Sequence, residues 1–116
     1  MNLTPFETAL VLHLIADWLL QNEWMAVNKI RLSHPAAWIH GSIHGILLGL
    51  LFGWVGGVTL AILHILIDTR IPFRWWDKVF KKSANSPDYP ILIIGCDQVL
   101  HISCIAGWIV LSSHLR

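Results

Sequence analysis

Eight residues hold the chemistry open to this chain. They form four pairs spaced four apart: His13/Asp17, His40/His44, His64/Asp68 and Asp97/His101. Residues at that spacing share one face of a helix. Each pair sits in an otherwise apolar stretch, where an ionisable side chain is costly and points to function. Imidazole and carboxylate together suit zinc, with iron or manganese as alternatives. Two divalent ions held about 3.5–4 Å apart activate a bridging water. The expected ligands are therefore all eight: His13, Asp17, His40, His44, His64, Asp68, Asp97 and His101. A metal-bound water is the expected nucleophile, since no separate catalytic side chain stands out. Gln21 and Gln98 flank the pairs and are expected to support metal-bound groups from behind.

Charge balance supports that reading. No Lys or Arg lies between residues 5 and 20, 36 and 69, or 91 and 115. Buried carboxylates without a cation must be protonated, face a charged histidine or bind a metal. Two divalent ions with a bridging hydroxide would balance the three aspartates. The apolar stretches carry no Glu beyond Glu7, which argues against a di-iron bundle built on Glu-x-x-His.

The elements that must position these residues are expected to be membrane helices. The chain has 116 residues, enough for one domain, of which 55% are hydrophobic and only 13% charged. Soluble domains carry about 25% charged residues. Mean hydropathy is +0.61. The spacing predicts four transmembrane helices over residues 5–21, 35–55, 57–71 and 90–114, forming one bundle over residues 1–116. Thr4-Pro5-Phe6-Glu7 predicts a capping box at the first start. Ser33 or His34 is expected to cap the second helix, Pro72 to stop the third and Pro90 to begin the fourth. The first apolar stretch carries His13 and Asp17 and lacks a basic lead, so no cleaved signal peptide is expected. Cys96 and Cys104 lie about 12 Å apart along one helix, too far to bond.

Seven of the eight Lys and Arg fall between the first and second helices or from the end of the third helix to the start of the fourth, and Arg116 lies apart. The positive-inside rule then puts residues 22–34 and 72–90 in the cytoplasm and both termini outside, in a bacterial inner membrane. Residues 73–82 predict a short interfacial helix with Phe73, Trp76, Val79 and Phe80 on its apolar face. Residues 83–90 read as a linker. The tryptophans form interfacial belts. Gly41, Gly45, Gly49 and Gly53 form a small-residue stripe for close helix packing.

Depth along antiparallel helices sorts the eight polar residues into two layers about 6 Å apart. Asp17, His40, Asp68 and Asp97 lie nearer the cytoplasm, and His13, His44, His64 and His101 lie deeper. His13-Leu14-Ile15-Ala16-Asp17 is echoed by His64-Ile65-Leu66-Ile67-Asp68, which predicts two helical hairpins related by a pseudo-two-fold axis. His34 and His114 lack a partner four residues away and read as interfacial.

At these residues the chain resembles a family of small bacterial membrane proteins catalogued as domain of unknown function 3307. The matching segments run from His13 to Gln21, from Trp24 through Met25 and Ala26 to Lys29, and through His40, His44, His64, Asp68 and Asp97 to His101. The resemblance implies the four-helix topology and the polar pairs and brings no activity. More distantly the chain is similar to membrane-bound metal-dependent hydrolases and to His/Asp-rich helical phosphoesterases that hold two or three metals.

The expected function is a membrane-embedded, metal-dependent hydrolase acting from the cytoplasmic side on a phosphoester or lipid-linked substrate. Lys29, Arg70 and Arg74 are the expected contacts to an anionic headgroup. The alternatives are a divalent-metal or proton transporter, and a non-catalytic module stapled by metal. Leu47, Leu48, Leu50, Leu51, Phe52, Val58, Leu60 and Ala61 offer no ligands, so a single chain has half a pathway that only a homo-oligomer could complete. The expected partners are the lipid bilayer and an anionic lipid, with no nucleic acid.

Overall fold

Thr4 starts the first helix as its sequence dictates. In the computed structural model, which describes residues 2–80 and 85–115, the Glu7 amide donates to Thr4 Oγ1 at 3.2 Å and the Thr4 amide to Glu7 Oε2 at 2.7 Å. This reciprocal cap opens α1 (Pro5–Leu14). The expected helix over 5–21 then changes character. Residues Ile15–Leu19 form a π-helical turn, closed by the Leu20 amide on the Ile15 carbonyl at 3.0 Å. Such turns insert extra backbone into a helix and recur at functional sites.

The next segment, expected as a loop, contains α2 (Glu23–Asn28), capped by Asn22 Oδ1 on the Met25 amide at 2.9 Å. Lys29 stands at the C-terminal end of α2. His34 Nδ1 then caps α3 by accepting from the Ala36 amide at 3.1 Å.

α3 (Pro35–Asp68) is helical throughout except at Gly53, where φ is 84° and ψ 171°. A positive φ is nearly free for glycine and strained for other residues, so the chain reverses there. The two arms, residues 35–52 and 54–68, fold back on each other. Gly41 meets Ile65, Gly45 meets Ala61 and Gly57, and Gly49 meets Gly57. The partners recede along one arm as they advance along the other, as an antiparallel hairpin requires. A Cβ on Gly57 would lie 2.6 Å from the Gly45 carbonyl oxygen, so only glycine permits this approach. Gly53 therefore belongs to the turn and not to the packing stripe.

The third expected helix ends at Asp68, short of Pro72. Thr69 Oγ1 donates to the Leu66 carbonyl at 2.6 Å and Arg70 takes a positive φ of 64°. Pro72 falls in the first turn of α4 (Ile71–Phe80), where its missing amide proton costs nothing. α4 occupies the place of the expected interfacial helix, although Lys81 and Lys82 of that expectation lie outside the described residues. α5 (Tyr89–His114) completes the chain, with Pro90 in its first turn.

No strand occurs among the described residues. α1, α3 and α5 pack on one another. Among the described residues two helices, α3 and α5, are long and apolar enough to cross a membrane. Polarity is inverted relative to a soluble domain. The largest fully buried side chains are His13, His40 and His44, while Leu50 is 82% and Trp54 79% exposed. A smaller apolar core of Ala9, Leu48, Leu60 and Ile105 lies beside the histidines, with Phe52 and Trp108 against it.

Candidate metal centre

Asp17 enters the bundle from the π-helical turn. Its Oδ1 lies 2.9 Å from His44 Nε2, 3.2 Å from His40 Nε2 and 3.9 Å from His64 Nε2. Its Oδ2 accepts from Gln98 Nε2 at 3.0 Å and lies 3.4 Å from His13 Nε2. Asp68 ends the second arm of α3. Its Oδ2 lies 3.1 Å from His64 Nε2 and 3.6 Å from His40 Nε2. Its Oδ1 lies 3.4 Å from His101 Nε2 and 3.5 Å from Lys29 Nζ. Both aspartates are buried.

Most of these approaches are poor as hydrogen bonds. Both ring nitrogens of His40, Nδ1 of His44, Nε2 of His64 and His101, and Oδ1 of Asp68 are buried without a hydrogen-bond partner among the described residues. Each such group costs about 1–3 kcal/mol when left unsatisfied. A cation bound between them would remove that cost for the one ring nitrogen each histidine turns towards it and for the Asp68 oxygen. The donor chemistry is imidazole and carboxylate, which suits a transition metal.

Among the described residues two groups converge closely enough to hold an ion. In Asp17, His40, His44 and His64, one candidate donor atom from each lies within 4.8 Å of the others; His64, Asp68 and His101 meet the same test. His64 belongs to both, and its ring stacks on that of His44 at 3.5 Å and lies 4.1 Å from that of His101. These buried groups could hold a metal ion. Each draws on both expected layers. Asp17 and Asp68 repeat a pattern: each touches the histidine four residues before it and a histidine of the next long helix, α3 for Asp17 and α5 for Asp68.

His13 and Asp97 stand next to the two groups and outside them. His13 Nε2 lies 3.1 Å from Gln98 Oε1, and Asp97 Oδ2 accepts from Gln98 Nε2 at 3.2 Å and lies 3.5 Å from His101 Nδ1. Gln98 thus ties His13, Asp17 and Asp97 together. Gln21 reaches the same region with its buried Oε1 unpaired among the described residues. His34 serves as a helix cap beside Trp24, at a ring distance of 5.3 Å, and His114 ends α5.

One contact of the site escaped the sequence. Lys29, expected as a contact to an anionic headgroup, also brings a positive charge to Asp68 from outside the apolar stretches, which corrects the expectation that no cation faces the aspartates. The signal was Asn22 ahead of Glu23 and Met25, a helix start that places Lys29 at the next helix end.

A cavity of about 210 Å³ opens over the centre, lined by Asp17, Asp68, Asp97, Gln21 and Gln98, with Lys29, Arg70, Trp18, Ala26, Ile93 and Ile94 around them. Arg74, expected beside Arg70, is exposed on α4 and does not line it. On the far side of the histidines only about 10 Å³ remains before Leu48, Leu60 and Ile105 close the bundle.

Residues 6–115 match the family model described as protein of unknown function (DUF3307). No curated protein and no solved structure matches the chain.

Proposed function

We propose, from the premise that the chain belongs to the family of unknown function DUF3307, that it is a membrane-embedded, metal-dependent hydrolase of phosphoesters. One observation carries this reading: Asp68, whose buried Oδ1 is unpartnered among the described residues, lines a cavity edged by Lys29 and Arg70 and stands against the equally unpartnered Nε2 atoms of His64 and His101. Asp17, His40, His44 and His64 would hold one divalent ion, and Asp68 and His101, with His64 between the groups, a second. Zinc is the first candidate. Such ions supply Lewis acidity and an activated water. The chain's own residues supply the rest. Gln98 fixes the Asp17 carboxylate and the His13 ring, and Lys29 and Arg70 offer cations to an anionic group in the cavity.

The membrane part of the reading uses four spans: α1 with its π-helical turn, the two arms of α3, and α5. The first arm, residues 35–52, rises about 27 Å, close to a bilayer core of about 30 Å. The hairpins are related by the pseudo-two-fold repeat, and α4 lies at the interface. The cations around the cavity support a reading in which that side faces the cytoplasm of a bacterium, with the protein in the inner membrane. The apolar core beyond the histidines favours an enzyme over a transporter, and a cavity reaching Asp68 favours it over a sealed staple.

The test is elemental analysis of protein purified in detergent, followed by turnover of phosphomonoesters and phosphodiesters. About two divalent ions per chain are expected, as in dinuclear sites, with Asp68→Asn lowering both metal content and turnover. Protein free of metal, or metal-loaded protein with no turnover on either ester class, would sink the hydrolase.

A further inference from the structure

The cavity over the centre has two unlike walls. Beside the carboxylates of Asp17, Asp68 and Asp97, Lys29 and Arg70 line it with positive charge, and Trp18, Ile93 and Ile94 line it with apolar surface. The apolar wall does not belong to the interior: Trp18 is 64% and Ile94 51% exposed on the apolar outer surface. Trp18 stands on the π-helical turn and Ile94 near the start of α5. α1 packs on α5, but the turn does not, since no Cα of Ile15–Leu19 lies within 8 Å of one in α5. Asp17 and Gln98 cross this seam by a side-chain hydrogen bond at 3.0 Å.

Size narrows what can enter. A water takes about 30 Å³ in the liquid, so about 210 Å³ accommodates a compact headgroup and not the apolar body of a lipid. An apolar chain attached to that headgroup must leave the cavity, and among the described residues that line it Trp18 and Ile94 are the large apolar side chains exposed at the surface. A water-soluble phosphoester would gain nothing from that wall.

We propose that the seam between the π-helical turn and α5 is a sideways entrance from the bilayer, and that the substrate is an anionic lipid with a small phosphate headgroup. The headgroup sits beneath Lys29 and Arg70 and the chain passes out between Trp18 and Ile94. The proposal rests on the hydrolase reading for its purpose, and its test is a binding measurement that does not need turnover.

Native mass spectrometry of the detergent-purified protein, titrated with phosphatidic acid, phosphatidylcholine or inorganic phosphate, reads the entrance directly. Phosphatidic acid is expected to bind better than phosphatidylcholine. Ile94→Trp fills the mouth with an exposed side chain and is expected to weaken phosphatidic acid binding by about tenfold, leaving metal content and inorganic phosphate binding unchanged. Trp18→Ala widens the mouth and should retain the lipid. Arg70→Gln should weaken the lipid and inorganic phosphate alike. Equal phosphatidic acid binding in wild type and Ile94→Trp overturns the entrance, as does equal binding of the two lipids, or loss of lipid and inorganic phosphate together in Ile94→Trp. Protein without metal that still binds phosphatidic acid through a mouth sensitive to Ile94→Trp would fell the hydrolase and leave the entrance standing.

Discussion

The two ends of the bundle use the same helices for opposite purposes. At one end, Asp17, Asp68 and five histidines crowd together with many polar atoms unpaired. At the other, Ala9, Leu48, Leu60 and Ile105 pack without a polar atom among their side chains. A Cβ on Gly56 would come within 2.9 Å of Trp108 Nε1, and Gly57 lies against Gly45 and Gly49. Hydrogen bonds through Gln98 and between Asp17 and His44 hold one part of the polar end. Both ring nitrogens of His40 and Oδ1 of Asp68 have no such partner among the described residues, so its geometry also depends on the close-packed end beneath it. Packed interiors tolerate little displacement. The apolar end is thus the jig in which the ligand atoms are held, and it also closes the far side of the centre.

The comparison can be broken most severely at the residue both ligand groups share. His64→Ala should leave both groups incomplete and reduce bound metal from about two ions per chain to a trace, while His114→Ala at the end of α5 should leave it unchanged; elemental analysis decides. Equal losses in the two variants would mean that the histidine cluster is not the metal centre. Next in size is the apolar end. Leu60→Ala should cost about 2–5 kcal/mol of stability, as deletions of buried leucine do, read as an earlier thermal transition in detergent, with metal stoichiometry retained. Loss of metal with no loss of stability would reverse the proposed division of labour. The smallest change is at the support of the centre. Gln98→Leu removes the ties to His13, Asp17 and Asp97, and metal affinity should fall about 10- to 100-fold with little change in melting. Competition with a chelator of known affinity measures it.

Much of this was legible in the residues. The Thr4–Glu7 cap stands where its motif puts it, and each of the four spaced pairs meets within its own helix. The glycine stripe faces the second arm at Gly41, Gly45 and Gly49. What escaped depends on contacts between distant segments. Nothing local marks Ile15–Leu19 for a π-helical turn, since its residues suit an ordinary helix equally well. Gly53 continues the spacing of the stripe, and only the return of the second arm makes it the reversal. Pro72 reads equally as a stop or a start, and the positive φ of Arg70 decides for the start. Lys29 lies far from Asp68 in sequence, so its approach follows from α2 folding over the cavity.

The reversal at Gly53 bears on how the chain reaches this state. With so short a connection, the first contacts between the arms, Gly49 with Gly57, join near neighbours in the chain. Closing such a loop costs little entropy. Each later contact then extends a seam already begun, and local contacts of this kind make for fast folding. The hairpin can zip from its tip, so His40, His44, His64 and Asp68 are aligned before α1 or α5 arrives. Half of the eight polar residues would thus be assembled early, as a template on which the outer helices close.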